Sequence, residues 1–125
     1  MKKMGRVRRP APSLVTLRDA LRRFATDRDW NQFHSPKNLA IALNVEAAEL
    51  LEHFQWMSDA ESAALAAEQQ AKVREEAADV LLYLIRLADK LGIDLLSAAS
   101  EKIALNAKKY PIEKARGSNK KYTEL

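Results

Sequence analysis

Two pairs of acidic residues, Glu46 with Glu49 and Glu76 with Asp79, stand three apart on stretches whose periodicity is helical. At about 100° per residue, Leu39, Leu43, Leu50 and Phe54 share one arc of about 60°, the expected buried stripe, and Glu46 falls beside Leu39 on it. Glu49 lies at its edge. On the second stretch Val73, Ala77, Val80, Leu84, Leu87, Ala88 and Leu91 form the stripe, with Glu76 at its margin and Asp79 just outside. An ionised carboxylate turned toward a core costs several kcal/mol unless a positive group compensates, and four converging acids also repel one another. A divalent cation answers both problems. Carboxylate oxygens without cysteine or clustered histidine suit Mg²⁺, or Mn²⁺, which bridge to substrate phosphates. Solvated surface and buried pairing with Lys or Arg are the competing explanations, and basic residues are scarce on these faces.

Aromatic residues flank both acidic pairs. The segment Asp29-Trp30-Asn31-Gln32-Phe33-His34 precedes the first pair and Trp56 follows it, while Tyr83 lies one turn after Asp79. Indole and phenol rings can stack a nucleobase, although the same residues also serve as core anchors. Lys102, Asn106 and Lys109 recur at spacings of four and three, giving a polar helix face able to meet phosphate oxygens or simply to be solvated.

Composition narrows the chemistry further. A chain of 125 residues supports one modest core. Without cysteine there is no disulfide framework, thiolate zinc site or cysteine nucleophile, so a reducing, cytoplasmic setting is expected. Three glycines leave no phosphate-cradling glycine loop, and no apolar run approaches the roughly 18 residues that span a bilayer. The net charge of +4 is unevenly spread: Lys2, Lys3, Arg6, Arg8 and Arg9 crowd the start, 108–125 is also basic, and the stretch between is acidic. Basic ends on an acidic body argue for solubility or weak polyanion attraction more than for a nucleic-acid interface.

The elements that must carry these residues are helices. Ser13 precedes a stripe of Leu14, Leu17, Leu21 and Phe24, a first helix expected to end near 27–30. Ser35-Pro36 opens a second helix, expected to reach about Trp56, because the serine oxygen caps an orphan amide and proline fits the first turn. Ser58 and Glu61 have capping-box spacing for a short helix. A long helix around Val73 ends at Leu91 with Gly92 as its left-handed cap, and Asp94 caps a last helix that stops before Pro111. The expectation is an all-α, four-helix-bundle-like fold of four main helices and one short one. It divides into a flexible basic arm over 1–12, the helical domain over 13–111 and an irregular basic tail over 112–125. Leu82 and Ile85 point away from the long helix's main stripe, which predicts a second packing face and hence oligomerisation.

The runs RDWNQFHSPKNLAIALNVEAAELLEHFQW, REEAADVLLYLIRLADKLGIDL, KIALNAKKYP and RGSNKKYTEL closely resemble the all-α nucleotide pyrophosphohydrolases of the MazG-like group, in the dCTP pyrophosphatase branch. The resemblance implies hydrolysis of a nucleoside triphosphate, dCTP or a modified dCTP, to the monophosphate and pyrophosphate. It also implies a Mg²⁺ requirement and a homotetramer built as a dimer of dimers. By position it assigns Glu46, Glu49, Glu76 and Asp79 as metal ligands, and Trp30, Gln32, Phe33, His34, Trp56 and Tyr83 to the nucleotide pocket. Lys37, Asn38, Lys102, Asn106 and Lys109 become phosphate contacts. Leu21 departs from the pattern, standing where animal-type relatives carry a pocket histidine. The rival is a non-catalytic helical interaction protein whose basic ends touch nucleic acid. EDTA-sensitive pyrophosphate release from dCTP is expected; a salt-sensitive gel shift without hydrolysis would favour the rival.

Overall fold

A computed structural model describes residues 11–125, so the expected arm lies outside it except for Ala11 and Pro12. The elements are α1 (Leu14–Asp27), a 3₁₀ turn (Asn31–Phe33), α2 (Pro36–Glu52), α3 (Asp59–Ser62), α4 (Ala67–Lys90), α5 (Leu95–Lys109), α6 (Ile112–Ala115) and a second 3₁₀ turn (Tyr122–Glu124). The described residues contain no strand, and none of their helices is long and apolar enough to cross a membrane. The all-α expectation holds.

Local chemistry sets the helix starts. Ser13 Oγ accepts from the Thr16 amide at 3.1 Å while Thr16 Oγ1 accepts from the Ser13 amide at 2.8 Å, a reciprocal cap on α1. Ser35 Oγ accepts from the Asn38 amide at 3.1 Å, with Pro36 in the first turn of α2. Ser58 and Glu61 form the expected box on α3. Gly92, at φ +65°, follows α4 in the left-handed conformation that its lack of Cβ permits.

Two boundaries differ from the sequence reading. α2 closes at Glu52 and the chain turns through Phe54 to Met57, so Trp56 lies beyond the helix. Past Pro111, where irregular chain was expected, Ile112–Ala115 completes a turn of helix.

The chain forms two compact units, one ending at Leu91 and one spanning Gly92–Leu125. In the first, α4 packs mainly against α2 and also against α1. Leu39, only 1% exposed, is the fully buried anchor of α2, with Leu43, Leu50 and Phe54 half-buried along the predicted stripe. On α4 the sequence reading needs correction. Ile85, expected on an outward oligomer face, is 4% exposed inside the protomer and Leu82 is half-buried, whereas Ala77 and Leu91 of the predicted stripe are exposed. The cause is that α4 serves two partners: α1 takes up a face that packing against α2 alone would leave open. Leu39→Ala should cost roughly 2–5 kcal/mol of unfolding free energy by urea titration, because nothing else fills its place. A loss below about 1 kcal/mol would show that this seam is not the core.

Candidate active site

The packing of α2 on α4 faces their acids toward one another. Carboxylate oxygens of Glu46, Glu49 and Glu76 lie within 4.8 Å of one another. Glu46 Oε2 and Glu76 Oε2 are buried without any hydrogen-bond partner. Such orphaned oxygens are costly, and nothing among the described residues relieves them: the arginine and lysine ion pairs engage Asp19, Glu68 and Asp89 instead. Burial, and then the adjoining Glu76 and Glu49 carboxyls, push Glu46 up to about 7. Among the described residues, the structural-pairing explanation therefore finds no pair. Oxygen-only ligands, negatively charged and mutually repelling, fit a hard divalent cation. Asp79, one turn beyond Glu76 on α4, adds its charge near Glu46 but lines the adjacent cleft.

That cleft has a volume of about 260 Å³. Leu21 and Phe24 of α1, Trp30 and His34 of the following loop, and Asp79, Leu82, Tyr83 and Arg86 of α4 form its walls. Trp30 meets Phe24 edge to face, with ring centroids 5.6 Å apart, and His34 at 6.3 Å. Arg28 stacks its guanidinium 3.6 Å from the centre of the Phe24 ring. The loop that delivers Trp30 begins at Asp29, whose φ of +54° turns the chain sharply out of α1. Gln32 Nε2 donates to both the carbonyl and the carboxylate of Asp29 at 3.0 Å, and the Trp30 amide donates to the Ala25 carbonyl. An aspartate tolerates this conformation because its side chain finds such local partners.

The sequence-predicted residues divide. Trp30, His34, Tyr83 and Asp79 come together in the cleft beside the acids. Gln32 braces the loop, and Asn38 Nδ2 donates to the Phe33 carbonyl at 3.0 Å, which closes the loop onto α2. Phe33 and Lys37 are exposed, as is Trp56, at 89%. Lys102, Asn106 and Lys109 lie exposed on α5 in the second unit, where Lys109 Nζ stands 5.1 Å from the Tyr122 ring centre.

Sequence reasoning missed an ionic network behind the cleft. Arg86, 5% exposed, donates through Nη2 to Asn31 Oδ1 and through Nε to His34 Nδ1, and pairs with Asp89 at 3.5 Å. Asp89 also accepts two hydrogen bonds from Arg22 of α1, and that guanidinium holds its carboxyl below the usual carboxylate range. The signal was present as an arginine and an aspartate three apart within LLYLIRLADK, on a helix apolar around most of its circumference.

An all-helical fold whose buried carboxylates border an aromatic cleft defines a candidate nucleotide-processing metal site. The profile of the MazG-like family matches residues 41–125, and the chain belongs to that family. It is 45% identical over 118 residues to dCTP pyrophosphatase 1 of Rattus norvegicus, and 43% identical to that of Homo sapiens; each match covers 93% of this chain and 69% of the relative. Among solved structures, a pyrophosphatase from Archaeoglobus fulgidus matches with a TM-score of 0.75 and 39% identity, covering 85% of this chain and 99% of that one.

The raised Glu46 carboxyl fixes a sign. Protonated below about 7, it must lose its proton to coordinate, so Mg²⁺ or Mn²⁺ should bind more weakly at about pH 6 than at about pH 8 and release protons on binding. Without cation, stability should fall as pH climbs from the ordinary glutamate range through about 7, because the folded state holds this proton more tightly than the unfolded one. Calorimetry in buffers of different ionisation enthalpy reads the proton release. Uptake independent of both buffer and pH would contradict the placement of Glu46 among the ligands.

Proposed function

We propose that the protein is a Mg²⁺-dependent nucleoside triphosphate pyrophosphohydrolase that converts dCTP, or a modified dCTP, and water to the monophosphate and pyrophosphate. The observation that carries this reading is the set of partnerless carboxylate oxygens on Glu46 and Glu76 beside an aromatic cleft. The family membership and the names of the 43–45% identical relatives support it.

Each group then has a task. Glu46, Glu49 and Glu76 would hold the cation, with Asp79 completing the acidic set toward the cleft. Such a cation, when bound, would supply charge neutralisation for the triphosphate and a more acidic attacking water. Glu49 is the carboxylate assigned to orient that water. Attack at the α-phosphorus forms a new P–O bond there, the bond to the bridging oxygen breaks, and pyrophosphate leaves with that oxygen. Trp30 and Tyr83 offer aromatic surface to the base, and the apolar walls of Leu21, Phe24 and Leu82 exclude water around it. Lys37, exposed in the first turn of α2, is assigned to phosphate.

Assembly as a dimer of dimers belongs to the same reading. Ile41 and Val45, one turn apart on α2, and Leu51 stay exposed in the protomer, as does Leu81 of α4. These four, rather than Leu82 and Ile85, supply apolar surface for a partner copy.

Hydrolysis in H₂¹⁸O decides the chemistry: the label should enter dCMP and not pyrophosphate. Glu46→Gln or Asp79→Asn should reduce turnover by more than about a hundredfold with the circular-dichroism spectrum unchanged. Label in pyrophosphate, or full activity in either folded variant, would contradict the assignment. A folded monomer at micromolar concentration in sedimentation would remove the tetramer.

A further inference from the structure

Arg86 is the buried charged residue among those described, at 5% exposure, and the hydrolytic steps above make no use of it. Its position is tightly determined. Nε donates to His34 Nδ1 at 3.2 Å, Nη2 donates to Asn31 Oδ1, and Nη1 lies 3.5 Å from Asp89 Oδ2. Both neighbours are themselves oriented: Asn31 Nδ2 donates to Thr26 Oγ1 at 3.2 Å, and Asp89 is held by Arg22. The guanidinium is therefore anchored from α1, from the loop and from its own helix before it reaches the imidazole.

That contact has a chemical consequence. A guanidinium has only donors and stays charged, so the nitrogen it meets must offer a lone pair. His34 Nδ1 therefore carries no proton. A neutral ring with Nδ1 bare keeps its proton on Nε2. Burial and the charges of Arg86 and Lys90 act in the same direction, holding His34 below its ordinary range. His34 lines the cleft, and its Nε2 makes no hydrogen bond among the described residues.

We propose that Arg86 is a specificity-determining positioning residue that locks His34 as an Nε2–H donor, so that the cleft selects a base edge presenting an acceptor, a pyrimidine carbonyl or bare ring nitrogen. The identity of the ligand as a nucleotide rests on the pyrophosphohydrolase reading above; the tautomer lock does not. A donor fixed at one nitrogen reads a heterocycle by its hydrogen-bonding pattern, and a free choice of imidazole tautomer would blur it. An unlocked histidine could accept from an exocyclic amine as readily as donate to a carbonyl.

The chain contains two histidines, His34 and His53, so long-range ¹H–¹⁵N correlation on histidine-labelled protein resolves the tautomer with His53 as an internal reference. Near neutral pH the wild-type protein should show His34 with Nδ1 unprotonated and Nε2 protonated. Addition of an α,β-methylene analogue of dCTP should move the Nε2 proton downfield and leave Nδ1 bare. Arg86→Met should admit the Nδ1–H tautomer and raise KM for dCTP about tenfold, the loss of one oriented hydrogen bond, with kcat held within about twofold. A protonated Nδ1 in the wild-type protein, an analogue that leaves Nε2–H unmoved while it binds, or an unchanged tautomer in folded Arg86→Met would each overturn the proposal. Should Arg86→Met fail to fold, Arg86→Gln, whose amide oxygen can accept from Nδ1–H, gives the same reading, and a protonated Nδ1 in the wild type overturns the proposal on its own. Absence of dCTP hydrolysis would strike the pyrophosphohydrolase reading alone, because the tautomer is read without turnover.

Discussion

The structure depends on a repulsion that none of the described side chains relieves. α2 and α4 bury apolar stripes against each other, and the same contact forces Glu46 and Glu76 to bring oxygens into a space where the described residues place no donor. A buried carboxylate without a partner lowers stability, and a cluster within 4.8 Å lowers it further. Burial and the adjoining carboxyls push Glu46 up to about 7, so it holds its proton more tightly than an ordinary glutamate.

One helix carries two charge clusters with opposite solutions. Toward its C-terminal end, α4 places Arg86 and Asp89 where Arg22, Asn31 and His34 complete every contact, producing a closed network that joins α1, the loop and α4. Two turns or more earlier it places Glu76 beside Glu46 and Glu49 of α2, where the described residues offer acceptors only. Between these regions lies the aromatic cleft, with Asp79 on the acidic side and Arg86 on the basic side. The closed network gives rigidity to the walls, while the open acidic set provides the charge that a triphosphate and its cation would meet. The strained turn at Asp29 belongs to the same arrangement, since it brings Trp30 and His34 over α4.

Most helices were legible because their signals are local. Ser13, Ser35, Ser58 and Asp94 each act on an amide within three residues, and Gly92 acts on its own backbone, so no tertiary information was needed. The convergence of Glu46, Glu49 and Glu76 was also legible, since Glu46 shares its angular position with Leu39 and is half-buried along that stripe. The second face of α4 was not. Angular arithmetic on one helix shows that Leu82 and Ile85 oppose the main stripe, but whether α1 or another copy covers them depends on where distant segments pack. The role of Arg86 was hidden for the same reason: three of its partners, Asn31, His34 and, through Asp89, Arg22, lie more than fifty residues away. The distribution of Trp30 and Trp56 follows a similar logic. Helical extrapolation carried α2 past Glu52, and the turn that ends it leaves Trp56 exposed.

The most direct test is an anomalous-difference map from crystals of the protein grown with Mn²⁺. The arrangement predicts a peak between α2 and α4, coordinated by Glu46 Oε2 and Glu76 Oε2 with Glu49 beside them, and its loss in Glu46→Gln. A map in which these oxygens are instead capped by lysine or arginine, or in which manganese occupies only other places, would contradict it.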